Sequence, residues 1–479
     1  MKFQKKYFMI VSIIGFGFAC SKPKPIVITP VPPAVVVVPP VAVKSDIEFW
    51  LTSGNKFALL QKQNAILNFS STANSDAVIE IDTIQTYQTI DGFGYTLTGG
   101  SALLINKLET KVKADLLQEL FGNNENSIGV NYLRVSIGAS DLHTSAFSYC
   151  DQLDETLKSF SIENDVEVIN LLKEIIAINP KIKIMASPWS APPWMKDNGN
   201  FKGGSLKTQY YGLYAAYFIK YIQAMKAKGI TIDAITIQNE PENPNNNPSM
   251  VMRASEQSVF IKEHLGPAFK AANFSTKIII FDHNCDNPKY PISILDDPAA
   301  KPFIDGSAFH LYAGDINALN VVRNAHPDKN IYFTEQWTAA NGDFGGDFGW
   351  HMKNVIIGSS RNWSKIALEW NLANDATNSL HTPGGCVDCK GALTIQNGVT
   401  RNVSYYIIAQ IAKFVPAGSV RIKSSLPSKV NNVAFKRPDG KKVLIVYNED
   451  AAAARFNLVF NSKTVSISIP ANSAGSFIW

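Results

Sequence analysis

Cysteine is scarce in this chain: five among 479 residues, too few for a fold built on disulfides. An excess of one charge is lacking too, with 45 lysines and arginines against 40 aspartates and glutamates. Three of the lysines fall within residues 1–19, so the remainder holds 42 bases against 40 acids. No basic block is left, which argues against a partner bound through its phosphates, and no nucleic acid is expected. The one long apolar run, residues 8–19, is shorter than the about 20 residues that a membrane-spanning helix needs. The seven histidines are scattered, and no second ligand pair accompanies Cys386-Val387-Asp388-Cys389. Zinc is therefore disfavoured at that motif, and no metal or cofactor is expected. What is plentiful is apolar material, 46% of residues, and aromatic side chains, 11%. That is enough for a large core and too much for a disordered chain.

Lys2, Lys5 and Lys6 precede the apolar run, which ends at Cys20. A basic start and an apolar stretch of this length predict a secretory signal over residues 1–19. Gly17-Phe18-Ala19-Cys20-Ser21 resembles a bacterial lipoprotein cleavage site, which makes Cys20 the lipidated first residue of the mature chain. The alternative is an ordinary signal peptide with an incidental cysteine. Residues 21–45 contain seven prolines and no glycine, a composition that favours an extended, semi-rigid spacer. The expectation is an outer-membrane lipoprotein on the cell surface or periplasmic face, touching the membrane through its lipid anchor only. A monomer is expected.

Beyond residue 90 the pattern alternates. Short apolar runs at 92–95, 132–137, 182–186, 234–237, 277–281, 304–309, 331–334 and 365–368 number eight. Segments with helical periodicity lie between them, most clearly at 103–121, 166–178, 210–227 and 255–272, and another follows at 403–414. Continuous apolar strands separated by helices predict a parallel sheet covered on its outside. Eight such units predict an α/β fold, a (β/α)8 barrel over residues 89–415. An open doubly wound sheet is the alternative, but no Gly-rich phosphate loop follows the first strand. The tail, 416–479, has period-two stretches and turn signals at Pro438-Asp439-Gly440 and Asn461-Ser462. Residues 46–88 carry similar strands, so both chain ends are predicted to meet in one β-sandwich beside the barrel.

Active sites of such barrels lie at the C-terminal ends of the strands. The fourth strand ends in Gln238-Asn239-Glu240-Pro241 and the seventh in Glu335-Gln336-Trp337. Two carboxylates at one mouth suit a retaining glycosidase, in which one attacks the sugar and the other moves the proton. The competing reading is that one or both are surface or salt-bridged acids.

Asn239-Glu240-Pro241 with Glu335 resembles the pattern of the large glycosidase clan built on this barrel. Further stretches are similar to glycoside hydrolase family 30. They are Gly92-Phe93-Gly94, Asn131-Tyr132-Leu133-Arg134-Val135, the specific Ser187-Pro188-Trp189-Ser190-Ala191-Pro192-Pro193-Trp194-Met195-Lys196, Asp282-His283-Asn284, His310-Leu311-Tyr312 and Glu369-Trp370-Asn371. The similarity spans residues 48–479. It implies Glu240 as general acid/base, Glu335 as nucleophile and Asn239 as donor to the sugar 2-hydroxyl. Glu240 then needs a raised pKa, while Glu335 must stay ionised beside His310, Tyr312 and the supporting Arg134. The resemblance also implies sugar contacts from Asp141, Trp189, Trp370 and Asn371, with Trp337 divided between binding and structure. Any single tryptophan among them has core packing as its alternative role. Cys386 and Cys389 are expected to form a local disulfide rather than stay free, in a loop that shapes the pocket mouth in the family. The details at 49–52, 94–100 and 335–338 look most like the β-1,6-glucanase branch, making a β-glucan the expected substrate and partner. Exo-acting β-glucosidase, glucosylceramidase-like, or xylosidase and xylanase activity are the alternatives within the family. A non-catalytic glycan-binding lipoprotein is the alternative of another class, and the intact carboxylate pair argues against it.

Overall fold

In the computed structural model, which describes residues 44–72 and 74–479 together with 12, 17 and 19–22, eight parallel strands close on themselves in chain order. They are Gly92–Thr96, Tyr132–Ile137, Lys183–Pro188, Ala234–Thr236, Lys277–Cys285, Ile304–Gly314, Asn330–Glu335 and Ser364–Glu369. The last pairs with the first, Ile366 opposite Gly92 and Leu368 opposite Gly94, which completes the ring. The chain is thus a (β/α)8 barrel. The signal and most of the spacer expected at 1–45 lie outside the described residues; Cys20 is described and exposed. Among the described residues no helix is long and apolar enough to cross a membrane.

The inside of the barrel changes character one layer at a time, as the period of two along a strand requires. Tyr132, Met185, Ala234, Ile279, Ala308, Tyr332, Ile366 and Leu368 pack together as a separate apolar cluster. Two residues further along four of those strands stand Arg134, Ser187, Thr236 and Thr334, all buried and polar. The switch from apolar waist to polar upper layer places the floor of a site at the strands' C-terminal ends.

Two differences from the sequence expectation concern helices and loops. Residues 103–121 form not one helix but two, Gly99–Asn106 and Thr110–Phe121. Glu109 takes an extended ψ of 140° and so breaks the run. No glycine or proline stands at 107–109 to announce it, and both helices bury apolar faces, so the periodicity reads across the break. Beyond the seventh and eighth strands the loops carry small sheets of their own, Thr338–Ala339 with Cys389–Lys390, and Ala373–Asn374 with Leu393–Ile395 and Val399–Arg401. These hold the loop bearing Cys386 and Cys389.

Both chain ends join in the second layer. Glu48–Ser53 pairs antiparallel with Ser473–Ile478. The long strand Ala77–Thr89 pairs with Val420–Ser424 at one part and with Ala454–Phe460 at another, linking the two sheets of the sandwich. Phe49, Leu51, Ile79, Phe456, Leu458, Ile467 and Phe477 fill the space between, with Phe49 and Phe477 stacked at 4.5 Å. Asn461 and Ser462 both adopt positive φ, 50° and 59°, as a two-residue hairpin turn demands.

Candidate active site

The floor is organised by Arg134, which is fully buried. Its guanidinium donates through Nη1 to Glu335 Oε2 at 2.5 Å and through Nη2 to Asp282 Oδ2 at 2.8 Å and Asn239 Oδ1 at 2.6 Å. Its Nε donates to Ser187 at 3.1 Å. Asp282 also accepts from Thr236 and Thr334, each at 2.7 Å, and lies 3.1 Å from His310 Nε2. Burial works against the Asp282 charge, but Arg134 and His310 outweigh it and hold the carboxyl far below its ordinary range. A buried cation and a buried anion satisfy one another here, and each needs the other.

Above this floor sit the two glutamates. A carboxylate oxygen of Glu240, one of Glu335 and a ring nitrogen of His310 all lie within 4.8 Å of one another. Glu335, at the end of its strand, also accepts from the Tyr312 hydroxyl at 2.9 Å. Glu240 lies beyond the fourth strand with a φ of 46°, a left-handed conformation rare outside glycine. It is fixed there because its N–H donates to Asp282 O at 2.9 Å and the Asn239 N–H donates to Pro188 O at 2.8 Å. His310 Nδ1 stands 3.4 Å from Glu240 Oε1 and 3.6 Å from Glu335 Oε1. Burial alone would keep His310 neutral, but the charges of Glu335 and Asp282 and the hydrogen bonds to Asp282 and Glu240 raise it to about 9.

The proton distribution differs from the sequence expectation. Burial raises Glu240, yet His310, the nearby His283 and the Asn243 amide together bring its carboxyl below the ordinary value. At Glu335 burial wins over the cations of His310 and Arg134, and the carboxyl is raised. The reason is placement: Glu240 is closer to the imidazole and receives two amide donors, Asn243 at 2.8 Å and Asn246 at 3.3 Å. His310, raised to about 9, is the member of the trio that keeps its proton near neutral pH.

A cavity of about 280 Å³ opens over both carboxylates. Asp141, Trp189, Trp337 and Trp370 line it, as do Tyr312 and the Cys386–Cys389 pair, which is joined by a disulfide. Trp189 and Trp370 lie with ring centres 5.4 Å apart, and the Arg134 guanidinium covers the Trp189 ring. Burial pushes Asp141 up to about 7, aided by the charges of Glu335 and Glu240 and opposed by the Cys386 N–H, which donates to it at 3.2 Å.

Three expected sugar contacts are not among the side chains that line this cavity. Asn371 is fully buried and does not line the cavity; its Oδ1 lies 3.2 Å from Ser101 Oγ and its Nδ2 has no hydrogen-bond partner among the described residues. His310, also fully buried, touches the carboxylates rather than the open space. Asn239 gives its Oδ1 to Arg134, and because arginine only donates, its Nδ2 is left for a ligand. Asp282, Asn243, Asn246 and Asn284 were missed as site residues. Asp282 and Asn284 stand on the fifth strand, inside the Asp282-His283-Asn284 motif, while Asn243 and Asn246 sit in a loop where no periodicity points to them. The buried trio of Glu240, His310 and Glu335 could offer ligands to a cation, but the imidazole is protonated and bonded at both nitrogens, which fits a proton-sharing cluster better.

The family model for the glycosyl hydrolase family 30 TIM-barrel domain matches residues 90–415, and that for the family's β-sandwich domain matches 418–477. The chain belongs to glycosyl hydrolase family 30. An endo-1,6-β-D-glucanase of Aspergillus fumigatus is 34% identical to it over 395 residues, covering 75% of this chain and 78% of that one. An endo-1,6-β-D-glucanase of Trichoderma harzianum is 33% identical over 421 residues, covering 82% and 84%. The solved structure of the endo-β1,6-glucanase BT3312 superposes with a TM-score of 0.86 at 33% identity, over 91% of this chain and 99% of that one.

Proposed function

We propose that this family 30 enzyme is an endo-acting β-1,6-glucanase that cleaves by double displacement. The proximity of Glu240 and Glu335 carries the reading: oxygens within 4.8 Å leave no room for the extra water that an inverting pair needs. Glu335 attacks the anomeric carbon while Glu240 gives its proton to the departing oxygen. A glycosyl ester on Glu335 results. Water then attacks that carbon, Glu240 takes the water's proton, and Glu335 leaves with its electron pair restored. Arg134 and Tyr312 hold Glu335 in line for both steps. The free Nδ2 of Asn239 is the donor for the sugar 2-hydroxyl, a contact that strengthens as charge develops on the ring. Asp141, Trp189 and Trp370 receive the sugar on the non-leaving side, the carboxylate taking hydroxyls and the indoles the C–H face. The choice of β-1,6-glucan is supported by the named relatives.

Glu335→Ala is expected to lower turnover of β-1,6-glucan at least about 10⁴-fold, and azide is expected to restore cleavage of an activated β-glucoside. Products must retain the β configuration and include disaccharides and longer fragments; inverted product or glucose alone would sink the double-displacement or endo assignment respectively. The leader supports an extracellular, lipid-anchored location through Cys20. Fatty-acid labelling that persists in Cys20→Ser would overturn it.

A further inference from the structure

Glu240 poses a problem that its surroundings resolve. The acid that must deliver a proton is, in the empty site, the more acidic of the pair. After His310 and His283, the Asn243 amide adds to this lowering, and it converges with Asn246 on one oxygen, Oε2, on the side away from His310, which faces Oε1. The Asn243 amide cannot turn around, because its Oδ1 already accepts the Asn245 N–H at 3.0 Å. Both asparagines line the cavity, and so does Asn284, whose Oδ1 is taken by the Tyr312 N–H at 3.0 Å. Asn243 and Asn284 therefore turn amide donors toward the cavity, and Asn246 turns its Nδ2 toward Glu240.

The loop that carries Asn243 and Asn246 is braced. Fully buried Lys196 donates to Ser249 O at 2.7 Å and Phe201 O at 2.9 Å, and Ser249 Oγ donates to Asn246 O at 2.6 Å. Asn247 Nδ2 donates to Pro383 O at 2.8 Å, strapping the loop to the segment that bears the disulfide. Residues 243–248, Asn-Pro-Asn-Asn-Asn-Pro, hold no charge. A rigid, neutral wall of amides beside the proton donor suits a neutral polyhydroxyl group.

We propose that Asn243, Asn246 and Asn284 form the leaving-sugar side of the site, and that Asn243 and Asn246 transfer their donors from Glu240 to the hydroxyls of the departing glucan. The inference rests on the β-glucanase reading and adds how the substrate itself readies the acid. With its amide donors withdrawn, Glu240 accepts the proton from His310 Nδ1, 3.4 Å away; His310 becomes neutral and keeps Nε2–H on Asp282. Glu240 is also faced by His283 at 3.9 Å and Glu335, with Asp141 and Tyr312 further round the cavity. The asparagines are positioning residues toward Glu240 and binding residues toward the leaving sugar.

The test compares Asn243→Ala and Asn243→Asp with wild type on β-1,6-glucan and on a dinitrophenyl β-glucoside, whose leaving group needs neither a proton nor a sugar pocket. The loss in kcat/KM is expected to be about tenfold greater on glucan than on the aryl glucoside. Removing a donor from ionised Glu240 raises its pKa, so the alkaline limb of kcat/KM on glucan shifts upward, further for Asn243→Asp, whose carboxylate repels that of Glu240. Equal losses on both substrates with an unmoved limb, or an undiminished rate on glucan, overturn the proposal. Wild-type enzyme that cleaves a different β-glycan defeats the β-1,6 assignment alone, and the limb measured on that glycan still decides the donor exchange.

Discussion

The two sides of the cavity are built differently. Glu335 ends a barrel strand, and its partners Arg134 and Tyr312 come from the second strand and the sixth, so the ring of hydrogen-bonded strands fixes all three. Glu240 lies past the end of its strand in a left-handed conformation, and its amide partners Asn243 and Asn246 belong to a loop. The nucleophile side is thus set by the part of the fold that every barrel shares, and the acid side by a part that can vary. Strand residues supply the chemistry common to the family; loop residues adjust the proton and the leaving group.

The largest effect should come from breaking the strand-built side. Arg134→Met removes the guanidinium that bonds both Asp282 and Glu335 and leaves His310 to offset both buried carboxylates. Loss of one partner from a buried pair costs about 3–5 kcal/mol, so a marked fall in the denaturation midpoint is expected together with loss of nearly all glucan turnover. Arg134→Lys should rescue little, because a lysine cannot reach Glu335, Asp282 and Asn239 at once with a fixed planar fork. If Arg134→Met keeps wild-type stability and rate, the floor does not organise the site.

The sequence made the strand-built side legible. Apolar runs of four to six residues located all eight strands, and Glu240 and Glu335 at two strand ends marked the mouth, while Arg134 was named only through the family resemblance. The sandwich was readable too, since its turns carry residues tolerant of positive φ. Three things were not legible. The break at Glu109 has no glycine or proline. The burial of Asn371 depends on helix packing around Ser101, far away in the chain. The acidity of Glu240 arises from His310, His283 and Asn243 on three separate segments, and no pattern along one segment reports a charge balance in space.

His310 links the two sides, and its titration gives an intermediate effect. Its folded pKa, about 9, lies above the unfolded value near 6.5. The sign follows: this contribution is fully present below pH 6.5 and is lost as pH rises through 9. Stability is expected to decline across that window by on the order of 3 kcal/mol, at about 1.4 kcal/mol per unit. Denaturant midpoints from pH 6 to 10 measure it, and His310→Gln should flatten the decline. A midpoint that rises over that range, or an equal decline in the variant, would show that the proton is not held on this ring.

The smallest effect separates two asparagines that the family resemblance groups together as sugar contacts. Asn239 stands at the floor bonded to Arg134 through Oδ1, whereas Asn371 is sealed beneath the wall, its Oδ1 3.2 Å from the Ser101 hydroxyl and its Nδ2 without a partner among the described residues. The Ser101 hydroxyl also bonds Ala373 O at 2.7 Å, so it keeps a partner when Asn371 is removed. Asn371→Ala is therefore expected to lower unfolding free energy by about 1 kcal/mol while KM for glucan stays within about twofold of wild type. Asn239→Ala should do the reverse on kcat, because a donor to the 2-hydroxyl acts mainly in the transition state. A tenfold rise in KM for Asn371→Ala at unchanged stability would place that side chain against the sugar after all, and the boundary drawn here between wall and support would move outward by one residue.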